Sequence, residues 1–239
     1  MLQKNSNGAF ILGVFICIGL ITLGYFLSSA AITYKQYERS VKVKGLAERE
    51  LSADVVIWPI QFAVANNNLE HLYRDIEQNA EKIKTFITKR GIDANEMSLS
   101  APAITDKSAQ QYGNNSVATF RYTAIQTVTV YSTNIESVRQ LQSALSELGK
   151  QGIVFTGGNY QSRTEYLFTR LNDIKPDMIE EATRNAREVA EKFALDSNSQ
   201  LGKIKRASQG QFSISSRDTN NPHIKRIRVV STLEYYLSD

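Results

Sequence analysis

The sequence predicts an α+β fold in which an N-terminal transmembrane helix precedes one antiparallel-sheet domain of element order ββαββαβαββ. Three observations carry this expectation. No charged side chain occurs from Asn5 to Tyr34, and Ala9–Leu27 is almost wholly apolar. Beyond that, runs alternating apolar and polar residues with a period of two are interleaved with three runs whose apolar residues recur every three or four positions. No linker rich in Pro, Gly or Ser divides the later part, so helices packed on antiparallel sheet form its expected architecture.

The chain opens with the span. Nineteen residues at about 1.5 Å rise cover roughly 28 Å, near the thickness of a bilayer's hydrocarbon core. A cleaved signal peptide is the competing reading, with Ser28-Ser29-Ala30 as the small-residue site, although signal cores are usually shorter. Residues 1–34 are therefore assigned as membrane anchor or signal, and 40–237 as the domain. Lys4 before the span, and Lys35, Glu38 and Arg39 after it, leave the charge rule undecided. A short N-terminus before a large polar domain favours export of that domain.

Ser40–Arg49 begins as a strand, and Asp54–Asn66 alternates with Trp58, Ile60, Phe62 and Val64 on one face. Pro59 cannot donate to a ladder, which points to an edge or a bulge. The Asn66-Asn67-Asn68 cluster caps a helix with Leu69, Leu72, Ile76, Ala80, Ile83 and Ile87 on its stripe, ended by Gly91. Glu96–Thr105 reads as a strand, residues 106–116 as a polar hairpin loop, and Val117–Tyr131 as a long strand. Thr133 with Glu136 makes a capping-box pattern before a helix through Ile135, Val138, Leu141, Leu145 and Leu148, stopped at Gly149.

Gly152–Arg163 gives another strand. Pro176 suits the first turn of a third helix reaching about Leu195, with the stripe Met178, Ala182, Ala186, Val189 and Phe193. Its two alanines imply close approach to a sheet. Two strand-like runs close the chain, Gly202–Ser216 and Ile224–Leu237, joined around Asn220-Asn221-Pro222. The centre, βαββαβ, has the order of a ferredoxin-like split unit.

The composition limits the chemistry. The chain has 239 residues, 42% of them hydrophobic and 22% charged, and a net charge of +4. Its mean hydropathy of −0.30 is too low for a multi-span membrane protein. One cysteine, Cys17 inside the span, forms neither an intramolecular disulfide nor a cysteine-rich zinc site. The two histidines, His71 and His223, read as solvated residues and leave little for a metal centre or histidine-based catalysis. No nucleophile elbow, zinc-binding helix, Walker loop or dinucleotide fingerprint occurs, so catalytic, cofactor and metal residues are all expected to be absent. Gly157-Gly158 reads as a turn or bulge, and Asn114-Asn115-Ser116 as a chance sequon.

The sharper feature is basic. Lys203, Lys205 and Arg206 lie on one late strand, and Lys225, Arg226 and Arg228, with His223, on the last. If these strands pair as a hairpin, the two sets meet across it as an anion-binding patch. The other reading is a guarded sheet edge, where lysine and arginine block unwanted strand pairing. Aromatic residues do not interleave with the basic ones, so no nucleic acid is expected.

The runs SVKVKGLAERELSADVVIWPIQF, KTFITKRGIDANEMSLS, FRYTAIQTVTVYS, LGKQGIVFTGGNYQS and EEATRNAREVAEKFA, in this order, resemble the SIMPL-domain family, from about Ser40 to Leu237. The chain departs from the common pattern at Leu46, where many members have a second glycine after the one matched by Gly45, and in keeping its hydrophobic N-terminus. The resemblance implies a bacterial envelope protein of the kind that includes the oxidative-stress defence protein of enterobacteria and the periplasmic immunogenic protein of Brucella. It transfers no catalytic residue, and members assemble into large hollow rings.

The resulting expectation is a non-enzymatic, cofactor-free protein of the bacterial inner membrane. It would be single-pass, anchored through residues 9–27, with its domain in the periplasm; the alternative is a cleaved periplasmic form. It would be a homo-oligomer acting by self-assembly or binding of an unidentified protein partner in oxidative or envelope stress. The alternative function is an anion- or ligand-binding module using the late basic strands.

Overall fold

The computed structural model describes residues 6–109, 119–157 and 162–238. It opens with helix α1, Ser6–Tyr37, in which Phe10–Lys35 is long and apolar enough to cross a membrane and none of the apolar window is buried. The expected α+β architecture follows: an apolar helix, then open antiparallel sheets with helices. Two compact units form. One comprises residues 1–48, 175–213 and 228–239, and the other residues 49–174 and 214–227.

The second unit is organised by two long strands, β2 (Val55–Asn66) and β5 (Tyr122–Ser132), in unbroken antiparallel register from Val56↔Ser132 to Asn66↔Tyr122. Strand β3 (Met97–Leu99) and strand β4 (Ala103–Asp106) pair with β5, while β6 (Val154–Phe155) and β7 (Glu165–Leu167) pair with β2. The order β3-β5-β2-β6 places the first strand of the βαββαβ segment beside its third, as the split unit requires. One face is buried, through Val56, Trp58, Ile60 and Phe62 on β2 and Ala124, Val128 and Val130 on β5. Helices α2 (Leu69–Thr88) and α3 (Ile135–Ala144) bring Leu72, Ile76, Ile83, Val138 and Leu141 into the same core. Tyr131, on the opposite face, is exposed, as is usual for an antiparallel sheet covered on one side.

Local chemistry explains where the elements stop. Asn68 caps α2, its side chain accepting from the His71 N–H at 3.1 Å. The helix ends at Thr88, and Gly91 supplies the left-handed residue just beyond, with φ +90°. The cap of α3 is Asn134, not Thr133: its Oδ1 accepts from the Ser137 N–H at 3.1 Å, while its own N–H donates to Ser132 Oγ. Gly149 does not stop this helical run. It lies inside α4 (Ser146–Lys150), and the turn that ends the run uses Gly152 at φ +89°.

The expected strand over 96–105 is broken in two. Leu99 pairs with Val128 and Ala103 with Ile125, so four steps on one side face three on the other, a bulge across Ser100–Pro102. Pro59 is accommodated differently. Its strand is internal, but ten residues separate Phe155 from Glu165 while their partners Phe62 and Ile57 are five apart. Pro59 falls between these two described stretches of pairing. Backbone alternation points the Pro59 nitrogen to that side, as it does the Gln61 carbonyl, which accepts from Thr156 N–H at 2.9 Å. The Gly152–Arg163 strand is accordingly short, and the 106–116 hairpin loop, the start of the Val117 strand and the Asn114 sequon fall largely or wholly outside the described residues.

The other sheet follows the path β1 (Ser40–Ser52), β10 (Ile224–Ser238), then β8 (Gln200–Gln209), with β9 (Ser213–Ser216) also on β10. Helix α5 runs from Leu171 to Asp196, so Pro176 stands inside it rather than in its first turn. Its buried stripe is Met178, Ala182, Ala186, Ala190 and Ala194, a strict i+4 row. Val189 and Phe193, expected in that row, are exposed instead. Gly45 gives the reason: a Cβ built there collides with the Ala182 carbonyl oxygen and the Ala186 nitrogen. Backbone meets backbone at this contact, and only the smallest side chains fit along the seam. Asn185 Nδ2 adds a 2.8 Å hydrogen bond to the Leu46 carbonyl.

Candidate functional site

Strand register does not set the two groups of basic residues singled out in the sequence opposite one another. Strand β8 is opposed by the far end of β10: Arg206 faces Glu234 and Ile204 faces Tyr235. The Lys225–Arg228 stretch is therefore not the partner of Lys203–Arg206, because Gln209 already pairs with Ser231 and the chain then turns through residues 210–212 into β9. Period-two alternation separates the later set further. Lys225 shares its side of β10 with the buried Ile227 and Val229, whereas Arg226 and Arg228 point the other way and are exposed.

Within the early set Lys205 is ion-paired. Lys205 Nζ lies 3.4 Å from the Glu234 carboxylate and 5.4 Å from the centre of the Tyr236 ring. Ser40 Oγ–H donates to the same carboxylate at 2.7 Å. That hydrogen bond foremost, with Lys205 and Lys42 assisting, holds the Glu234 carboxyl below its usual range. A shallow cavity of about 440 Å³ beside it is lined by Lys42, Arg206, Ser208 and Thr232 as well as Glu234. Glu234 thus places a carboxylate among the cations Lys42, Lys205 and Arg206. Lys203 lies on the exposed run of β8, which ends the sheet path. Arg226 reaches Glu50 at 3.4 Å, and Arg217 approaches the same carboxylate at 3.9 Å.

A second site lies where β9 meets the start of β10. Lys225 is 9% exposed, and its ammonium donates to Ser216 Oγ at 3.0 Å. Burial lowers its pKa, against an opposing pull from Glu165. The connecting loop folds around Asp218, whose carboxylate accepts from Arg217 Nε and from the Asn220 and Asn221 N–H groups. These bonds, the Arg217 one first, bring its carboxyl down to about 2.

His223 closes the loop. Its carbonyl accepts from Ala53 N–H at 2.7 Å and its ring meets Tyr166 edge-on at 6.0 Å. Burial, then Arg139 and Arg217, lowers the imidazole pKa, so it favours the neutral form. The adjoining polar cavity, about 500 Å³, is lined by Arg163, Thr164, Tyr166, Ser216 and Asp218 among others.

This geometry is a clamp. Ser216 Oγ lies 3.0 Å from the Lys225 ammonium and 3.4 Å from the Pro222 carbonyl, which ties the end of β9 to the start of β10. Sequence reasoning placed Lys225 in a surface patch, although its parity with Ile227, Val229 and Leu233 marks it as inward-facing. His71, by contrast, lies exposed in the first turn of α2, as expected.

A family model described as SIMPL, protein of unknown function (DUF541), matches residues 41–228, from the second residue of β1 into β10. No curated protein matches the chain.

Proposed function

Since the chain belongs to the SIMPL family, we propose that it is a membrane-anchored envelope protein whose domain stands in the periplasm and works by binding, to copies of itself or to a partner protein, in defence against oxidative or envelope stress. The observation that carries the reading is α1. Its window Phe10–Lys35 is apolar and wholly unburied, which is stable in hydrocarbon and costly in water. Only Glu38 and Arg39 separate α1 from β1, so the domain is held at the membrane on a short tether. A binding role is also supported by β8, a strand at the end of its sheet path with side chains exposed along almost its whole length.

Three measurements test the parts separately. The mass of the mature chain in a membrane fraction decides between a retained anchor, which is expected, and cleavage near Ala30. Light scattering of the detergent-solubilised full chain should give a multiple of the protomer mass; a strict monomer refutes self-assembly. Deletion of the gene should sensitise cells to peroxide or envelope stress, and unchanged survival refutes the stress role.

A further inference from the structure

The last turn of α5 and the exit of the anchor meet at one end of the first unit. The inner stripe of α5 is spent on the sheet, yet Phe193 is 55% and Leu195 is 74% exposed. At about 100° per residue the two flank the buried Ala190–Ala194 row on opposite sides, so together they present apolar surface at the helix end rather than along one face. Hydrogen bonds fix where this end lies. Ser197 N–H donates to the Phe193 carbonyl at 3.1 Å, Ser199 N–H to the Ala194 carbonyl at 2.8 Å, and Arg39 Nη2 to Ser199 Oγ at 3.0 Å. Arg39 is four residues past the last residue of the apolar span, a reach of at most about 14 Å even when fully extended. The tip of α5 is therefore two hydrogen bonds away from a residue that is tied to the bilayer surface by chain length alone.

The surroundings have the chemistry of a bilayer interface. Leu237 N–H donates to the Arg39 carbonyl at 2.9 Å, which brings the exposed Tyr236 to the same end. Lys205 lies over the Tyr236 ring, and Tyr34 at the end of the span is within electrostatic range of both. Tyrosine prefers the headgroup level, and lysine lays its stem along apolar surface while its ammonium reaches phosphate. Glu38 and Asp196 stand at this end as well, so it is an amphipathic surface and not a cation patch, and the apolar side chains provide the contact.

We propose that Phe193 and Leu195 dip into the interfacial layer of the lipid bilayer beside the anchor, so that the domain is held at the membrane by two contacts. This rests on α1 being a retained span. The test uses the full chain carrying Leu195→Trp or Phe193→Trp, each at an exposed position that tolerates an aromatic ring. The chain is reconstituted into phosphatidylcholine vesicles with acyl chains brominated near the headgroup, and the emission of Trp58 is subtracted as background.

The added tryptophan should lose emission by about two-fold at the depth of an interfacial helix, roughly 5–10 Å into the headgroup boundary. Val189→Trp, about 6 Å back along the helix from Phe193 and about 9 Å from Leu195, should be quenched less. A chain that floats with the vesicles but shows no quenching at 193 or 195, or equal quenching at 189, overturns the proposal and leaves the span intact. A chain that does not float overturns both.

Discussion

Replacing Gly45 by alanine should separate α5 from the sheet it covers. A Cβ at this position meets the Ala182 carbonyl oxygen, the Ala186 nitrogen and, at 2.8 Å, the Ala186 Cβ. Ordinary contact between such carbons begins at 3.4 Å, so the pair alone requires a shift of about 0.6 Å. The two main-chain contacts require more, and neither atom can rotate away. Overfilling a packed interior costs about 1–3 kcal/mol, and a backbone collision belongs at the upper end of that range. For a chain of this size a loss of about 3 kcal/mol lowers Tm by roughly 6–12 °C.

Gly149→Ala is the internal control. It lies in α4 with nothing within 4 Å of its added Cβ, so the same chemical change should stabilise by about 0.5–1 kcal/mol through helix propensity. Thermal melts of the detergent-solubilised full chain by far-ultraviolet circular dichroism compare the three proteins. Equal Tm values for both variants, or a Gly45→Ala protein as stable as the parent, would show that the close approach at Gly45 does not hold.

Other perturbations probe other contacts. Asn68→Ala and Asn134→Ala should each cost about 1 kcal/mol in urea unfolding through loss of a helix cap, while Thr133→Ala stays within about 0.5 kcal/mol. Ala190→Leu, at a fully buried seam position, should destabilise by about 1–3 kcal/mol, whereas Val189→Ala on the exposed flank should change little. His223 has a folded pKa below the ordinary 6.5, so the unfolded chain binds more protons in that window. Stability should therefore rise as pH increases through it, be complete above 6.5, and fall on acidification. His223→Asn should flatten this part of the urea-midpoint profile; an unchanged slope would refute the assignment.

The legible parts of the sequence were those governed by local rules. The apolar helix, the Asn68 cap, the α2 stripe and the alternation of β2 depend on residues within a turn or a pleat of one another, and they are found where the pattern places them, except that Leu69 of the stripe is exposed and Phe86 is buried instead. The misplaced features share a different cause. The α5 stripe was read through Val189 and Phe193 because large apolar residues carry the strongest periodic signal. The contact with Gly45 instead selects alanines, whose burial leaves little mark on a hydropathy pattern. The basic patch was read from two strands assumed to pair end to end, and the chain's excursion through 210–212 and β9 changed which residues face each other.

The sequence alone determined that an apolar helix precedes an α+β domain, with the family resemblance running from β1 into β10, because hydrophobic period and turn chemistry are written in neighbouring residues. Tertiary structure decided which cations neighbour which carboxylates, that Lys225 turns inward onto Ser216, and that the exposed tip of α5 stands beside the end of α1. These depend on strand register and on the approach of backbone to backbone. A shift of one residue reverses every side chain in a strand, and no local pattern records which register the whole fold makes cheapest.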